Sequence, residues 1–206
     1  LIEIYAKSID HEKLNNLLKT LNSIDEVRQA EENETIEASK NDPAQFRPLY
    51  EKYFKRIFLF VYHRVEDRDI SSDLTSQIFL KAMQRIHQFE FRGLPFSSWL
   101  YRIAINECTD YFRKSKRSKV VYVEDVSFHH LFDEMFPEDP QTQLEKKLQV
   151  VLQQLKPIEL QIIELRYFED LPFKMVAEIL NISEVNAKVR TYRTLDKMKK
   201  IFLKLI

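Results

Sequence analysis

A single glycine, Gly93, serves all 206 residues. Tight β-hairpins rely on glycine and asparagine at positions of positive φ, so a chain this poor in glycine has little with which to turn strands. Leu, Ile, Lys, Glu and Gln are abundant, and most of them favour helices. The expectation is an all-α chain.

Hydrophobic periodicity divides that helix into units. Asp42-Pro43 has the form of a helix start, an acidic N-cap followed by proline at the first helical position. From there Phe46, Leu49, Tyr50, Tyr53, Ile57, Phe60 and Val61 keep the helical period to about residue 65. A second helix is expected over 70–88, with Ile70, Leu74, Ile78, Ala82 with Met83, and Ile86 inward and Asp73, Gln77, Lys81 and Gln84 outward. Gly93 falls in the loop EFRGLPF. A third helix follows, started by Pro95 and Ser97 or Ser98, and reads FSSWLYRIAINECTDYFRKSKR. Trp99, Ile103, Asn106 and Asp110 share one of its faces, and Arg113, Lys114, Lys116, Arg117 and Lys119 crowd its exit. Residues 42–117 thus form a three-helix domain.

Residues 1–41 precede it as an arm. A helix over 11–21 presents Leu14, Leu17, Leu18 and Leu21 on a narrow face. The charged stretch beyond has only Val27 and Ile36 as large apolar residues, which suits a satellite helix pair or a partly disordered segment. Leu1 in place of Met is the start expected of a trimmed or partial product.

Residues 118–143 lack helical periodicity, contain Pro137 and Pro140, and carry the acids Glu124, Asp125, Asp133, Glu134, Glu138 and Asp139 without a Lys or Arg beyond Lys119. They read as a flexible acidic linker. A second small helical domain occupies 144–206. Its segment LPFKMVAEILNISEVNAKVRTYRTL has the form of a helix-turn-helix: Val176, Ala177, Ile179 and Leu180 face inward, Asn181 makes the turn, and Ser183 caps the last helix. Lys188, Thr191, Tyr192 and Arg193 then lie on exposed faces, with Arg190 near the edge, a set suited to the DNA major groove.

Charge and composition narrow the function. The formal net charge is zero, so any attraction to nucleic acid is local. Aromatic side chains followed by a basic run suit separated strands, because rings stack on unpaired bases while cations neutralise phosphates. The lone Cys108 excludes an internal disulfide and a multi-cysteine zinc site, and the adjacent pair His129 and His130 lacks metal-ligand spacing on a helix. No metal or cofactor is expected, nor is enzymatic activity, since no phosphate loop or nucleophile–base pair is evident. No apolar run is long enough to cross a membrane and no signal peptide stands at the start, which predicts a cytoplasmic protein.

Three segments together resemble the extracytoplasmic-function group of bacterial sigma factors: DISSDLTSQIFLKAMQRIHQF, PFSSWLYRIAINECTDYFRKSKR and LPFKMVAEILNISEVNAKVRTYR. The resemblance covers about residues 42–202. It implies two helical domains, sigma regions 2 and 4, joined by a linker. It implies core RNA polymerase as partner, through the β′ clamp helices and the β flap, with Asp73, Leu74 and Gln77 at the clamp contact. Promoter DNA is implied as the ligand, and an anti-sigma factor is a further candidate partner. Recognition and melting of the −10 element would fall to Phe91, Arg92, Phe96, Trp99, Arg102, Asn106, Tyr111, Arg113 and Lys114, with the loop 91–98 taking up a flipped-out base. Recognition of the −35 element would fall to Lys188, Arg190, Tyr192 and Arg193. The sequence departs from the family's pattern at Ser76-Gln77 and Met83, and in the second domain at Met175, Asn181 and Val185-Asn186-Ala187. The competing reading is a helix-turn-helix regulator that binds duplex DNA without polymerase, which leaves the aromatic helix and the acidic linker without a task.

Overall fold

The computed structural model describes residues 11–91, 93–115, 131, 135 and 145–205. Those residues hold helices and turns, with no strand among them. The first, α1, is one unbroken helix, His11–Asn41, rather than a short helix and a polar tail. Its own apolar content does not account for it. Ile36, Glu32 and Ser39 are buried at helical spacing against the domain that follows, and tertiary packing carries the helix where propensity and patterning do not.

Asp42 accepts from the Ala44 backbone N–H at 2.9 Å and starts a 3₁₀ turn, Pro43–Phe46, which runs into α2, Arg47–Val65. Glu66 ends α2 in the left-handed region at φ 52°, and Asp67 at once caps α3, Arg68–Gln84, accepting from Asp69 and Ile70. A 3₁₀ turn, Ile86–Gln88, and the loop around Gly93 at φ 73° lead to α4, Phe96–Ser115. The stripe expected on α3 is inward, with Leu74, Ile78 and Ala82 buried and Ile70 and Met83 half-buried. On α4 Phe96, Ser97, Ser98, Leu100, Tyr101, Ile103, Ala104, Glu107 and Cys108 are buried; on the face shared by Trp99, Ile103, Asn106 and Asp110, Ile103 is buried, Asn106 is exposed and Trp99 lies at the edge. Lys81 of α3 reaches the buried Glu107 of α4 at 2.5 Å.

The expected acidic linker lies almost wholly outside the described residues; Leu131 and Met135 within it are helical and buried. The second domain holds α5, Glu145–Gln153, then α6, Pro157–Ile163, a π-helical turn, Glu164–Phe168, α7, Phe173–Leu180, and α8, Glu184–Phe202. Asn181 ends α7 at φ 53°, and the Ser183 hydroxyl accepts from Asn186 N–H at 3.2 Å, as the helix-turn-helix pattern predicts. None of the described helices is long and apolar enough to cross a membrane.

Glu159 ties the start of α6 to α8. It accepts from the Lys156 backbone N–H at 2.7 Å and from Lys197 Nζ at 2.6 Å. Partial burial pushes its carboxyl pKa up, but the hydrogen bonds from Lys197 and Lys156 and their charges outweigh this and hold it below the ordinary value. A depressed folded pKa contributes stability above the unfolded value, and that contribution is lost as pH falls through the folded one. Glu159→Ala should therefore cost about 1 kcal/mol in chemical denaturation at neutral pH, the size of a lost helix cap. The gap to wild type should close on acidification below the carboxylate range; a gap that persists there would exclude the carboxylate as its source.

Candidate nucleic-acid interface

The loop before α4 and the first two turns of that helix enclose a cavity of about 140 Å³. Phe89, Leu94 and Trp99 supply apolar walls, and Ser98 and Arg102 reach it from α4. An apolar cavity of about 150 Å³ holds a benzene ring, so this space is of one-ring size. Two of the lining residues, Ser98 and Arg102, each carry a buried polar atom without a hydrogen-bond partner, Ser98 Oγ and Arg102 Nε. Buried polar groups are satisfied in the great majority of cases, so these two are exceptions. Glu178, from α7 of the second domain, contributes to its lining. Its carboxylate accepts from Arg102 Nη2 at 2.7 Å, and its backbone carbonyl accepts from the same nitrogen.

The residues singled out for the −10 element divide around this cavity. Phe91 projects into solvent at 47 % exposure. Arg92 lies outside the described residues. Phe96 has no exposed surface, and a side chain so buried packs the core and cannot stack on a base from this position. Trp99 is half-buried, its ring centroid 5.7 Å from Phe89 and 5.5 Å from Phe96, so one face is core and one edge faces the cavity. Asn106 is exposed; Tyr111 is half-buried with its ring 5.3 Å from Phe112. Arg113 pairs with Asp110 at 2.9 Å, and Lys114 is exposed. On α3, Asp73 and Gln77 are exposed, but Leu74 is 6 % exposed and belongs to the core; Leu80, at 50 %, is the apolar residue on that outer surface.

In the second domain the four −35 candidates lie along one helix, α8, whereas Thr191, expected on an exposed face among them, is fully buried and donates to the Ala187 carbonyl at 2.9 Å. Lys188 pairs with Glu184 at 2.8 Å and sits 5.8 Å from the Phe173 ring. Arg190 donates to Asn186 Oδ1 at 2.9 Å. Tyr192 is 50 % exposed, and Arg193 opens onto a groove shared with Lys197, Lys200 and Lys204. Val185 and Val189 are exposed beside them, giving apolar contacts of the kind a thymine methyl takes.

Contacts between the domains were not anticipated. Arg64 of α2 and Glu164 of the π-helical turn form a pair whose side chains are 3 % and 5 % exposed. Arg64 Nε donates at 3.3 Å and Nη2 donates to the other oxygen, while the guanidinium lies 3.8 Å from the Phe60 ring centroid. Tyr101 of α4 donates to Glu169, and Arg56 donates to the Tyr101 hydroxyl at 2.7 Å and to the Glu169 carbonyl at 2.9 Å. Burial raises the Glu169 carboxyl pKa, outweighing the Tyr101 hydrogen bond and the nearby Arg56, Arg64 and His63 that lower it. Burial and the Glu169 charge likewise push the Tyr101 phenol up, which keeps it a donor. One sequence signal did exist. Arg64 continues the buried series Ile57, Phe60, Val61, and Glu164 stands between Ile163 and Leu165; a charge on an apolar stripe implies a partner.

Comparison with known proteins agrees with both domains in order. The family model for Sigma-70 region 2 matches residues 49–118, and that for Sigma-70, region 4 matches residues 151–200. The ECF RNA polymerase sigma factor BldN of Streptomyces coelicolor is 28 % identical over 180 residues, covering 86 % of this chain and 67 % of that protein. SigM of Bacillus subtilis, also an ECF RNA polymerase sigma factor, is 28 % identical over 156 residues, covering 75 % of this chain and 93 % of its own. Among solved structures, the sigma factor RpoE of Bartonella quintana, in complex with the anti-sigma factor NepR, superimposes with a TM-score of 0.54 at 17 % identity, covering 76 % of this chain and 95 % of that one, a likeness of fold. With both regions matched in order on the two helical domains that carry the basic helix-turn-helix and the aromatic helix, this chain belongs to the extracytoplasmic-function group of the sigma-70 family and serves RNA polymerase in promoter recognition.

Proposed function

We propose that the first domain opens the −10 element by taking one flipped base into the cavity beside α4, and that α8 holds the −35 element in the major groove. The observation that carries this reading is the one-ring cavity lined by Trp99, Ser98 and Arg102, with Phe91 exposed on the loop beside it. Flipping costs a few kcal/mol, which stacking and pocket contacts offset. Asn106, Arg113 and Lys114 lie further along α4, where the unpaired strand and its phosphates continue. Asp73 and Gln77, with Leu80 beside them, form the outer face of α3 that meets the β′ clamp helices. The second domain must leave α4 before a base enters, because Glu178 lines the cavity and occupies Arg102. The chain performs no catalysis of its own, acts in the cytoplasm, and is a candidate for restraint by an anti-sigma factor.

The test is reconstitution with purified core polymerase and mapping of transcript starts. Defined starts with thymines reactive to permanganate near −10 are expected. Failure to co-elute with core, or transcripts that begin at the same places without the protein, sinks the proposal. Within it, Arg193→Ala should weaken holoenzyme binding to promoter duplex and reduce the slope of log affinity against log salt by about 0.9, the loss of one phosphate contact. A slope unchanged from wild type removes Arg193 from the −35 contact.

A further inference from the structure

We infer that Glu32, on the N-terminal helix α1, is the positioning residue for the strand-opening helix, so that the arm ahead of the first domain is a working part of the −10 site. The inference rests on the −10 reading proposed above. Glu32 is on the buried face of α1 with Ile36 and Ser39, and its side chain is 3 % exposed. Burying a carboxylate in the core is costly unless each oxygen is met. Here both are. Oε1 accepts from the Phe96 backbone N–H at 3.1 Å; Oε2 accepts from Tyr53 Oη at 2.5 Å and from Lys52 Nζ.

The Phe96 bond gives Glu32 more than a packing role. Phe96 is the first residue of α4, and a first-turn N–H has no acceptor within its own helix. The residue before it is Pro95, whose side chain offers no capping oxygen. A carboxylate 64 residues earlier in the chain therefore does the work of an N-cap, and its negative charge sits where the helix dipole favours it. Burial, and then Glu32 itself, push the Tyr53 phenol up, which keeps Tyr53 a donor to the carboxylate. Ser98, Trp99 and Arg102, which border the cavity, lie two, three and six residues beyond this anchor. Anchoring the first turn fixes where those groups face the base; Phe96 itself, buried, transmits the hold into the core.

Reach and charge are separable. Glu32→Gln keeps the length and an oxygen that accepts from Phe96. Glu32→Asp keeps the charge but is one methylene shorter. Full-length variants are assembled with core polymerase on a promoter mapped as above, and two quantities are read: permanganate reactivity of the −10 thymines and retention of the duplex. Glu32→Gln should open within about threefold of wild type, whereas Glu32→Asp and Glu32→Ala should fall about tenfold or more, the loss of a hydrogen bond to a charged acceptor. Duplex retention should stay within about twofold for all three. Glu32→Asp opening like wild type while Glu32→Gln fails would assign the effect to the charge on Lys52 and overturn the inference. Equal losses in opening and retention would reduce Glu32 to general stability, with the same consequence. Hydrogen exchange of the free chain gives a readout independent of any promoter: the first turn of α4 should exchange faster in Glu32→Asp than in wild type, and equal protection refutes the anchor. If wild type opens no promoter while the exchange difference is present, the −10 reading has failed and the anchor has not.

Discussion

Arg64→Ala should release the second domain from the first. Arg64 and Glu164 are 3 % and 5 % exposed, and both guanidinium arms engage the carboxylate. Within one domain, removing one partner of such a pair costs about 3–5 kcal/mol, because the other charge stays buried and uncompensated. Here the partners belong to different domains, so the chain has a cheaper response: Glu164 returns to water when the domains part. The other polar contacts across the boundary, Arg56 and Tyr101 on Glu169 and Arg102 on Glu178, can each be exchanged for water. Small-angle scattering of the free variant should show a larger radius of gyration than wild type, and Arg102 with its cavity should become accessible. Arg64→Lys, which keeps the charge without the planar two-armed geometry, should fall between. A radius unchanged from wild type in Arg64→Ala would mean that the pair does not hold the domains together.

Phe96→Ala should be the most damaging single change to the first domain. The side chain has no exposed surface, and its ring lies 5.2 to 6.3 Å from the rings of Phe89, Trp99, Tyr53 and Phe46. Truncating a phenylalanine so enclosed leaves a cavity that the surrounding rings fill only in part, and the cost is about 3–5 kcal/mol. Chemical denaturation of the free protein measures it, and a loss under about 1 kcal/mol would contradict the burial. Phe91→Ala provides the contrast. At 47 % exposure it should change stability by less than about 0.5 kcal/mol and yet impair opening of the −10 element. The two phenylalanines stand in one short loop-to-helix stretch and share a sequence context; burial assigns one to the core and leaves the other exposed.

The parts that were legible share a cause. Helix starts at Asp42 and Ser183 depend on a side chain and a backbone N–H within three residues, and the structure has both of those hydrogen bonds. The inward stripe of α3 and the turn at Asn181 depend on the local helical period and on one residue's tolerance of positive φ. Leu74 shows the limit. It lies between the exposed Asp73 and Gln77 in sequence, and a polymerase-facing role was assigned to all three, but its position on the helix turns it into the core. α1 marks another limit, since a polar helix of 31 residues has no apolar stripe long enough to announce it.

Taken alone, the chain determined an all-α fold, a helix-turn-helix near its end, an aromatic-to-basic helix in the middle and the family these place it in. All of these are written in spacings of a few residues, the range over which helical geometry repeats. Only the tertiary structure decided that Glu32 accepts from the first N–H of α4, that Arg64 meets Glu164, and that Glu178 meets Arg102 beside the cavity. Those partners lie 64, 100 and 76 residues apart in donor–acceptor pairs that no local pattern joins. A charge becomes interpretable there only when the fold has removed it from water and supplied its counterpart.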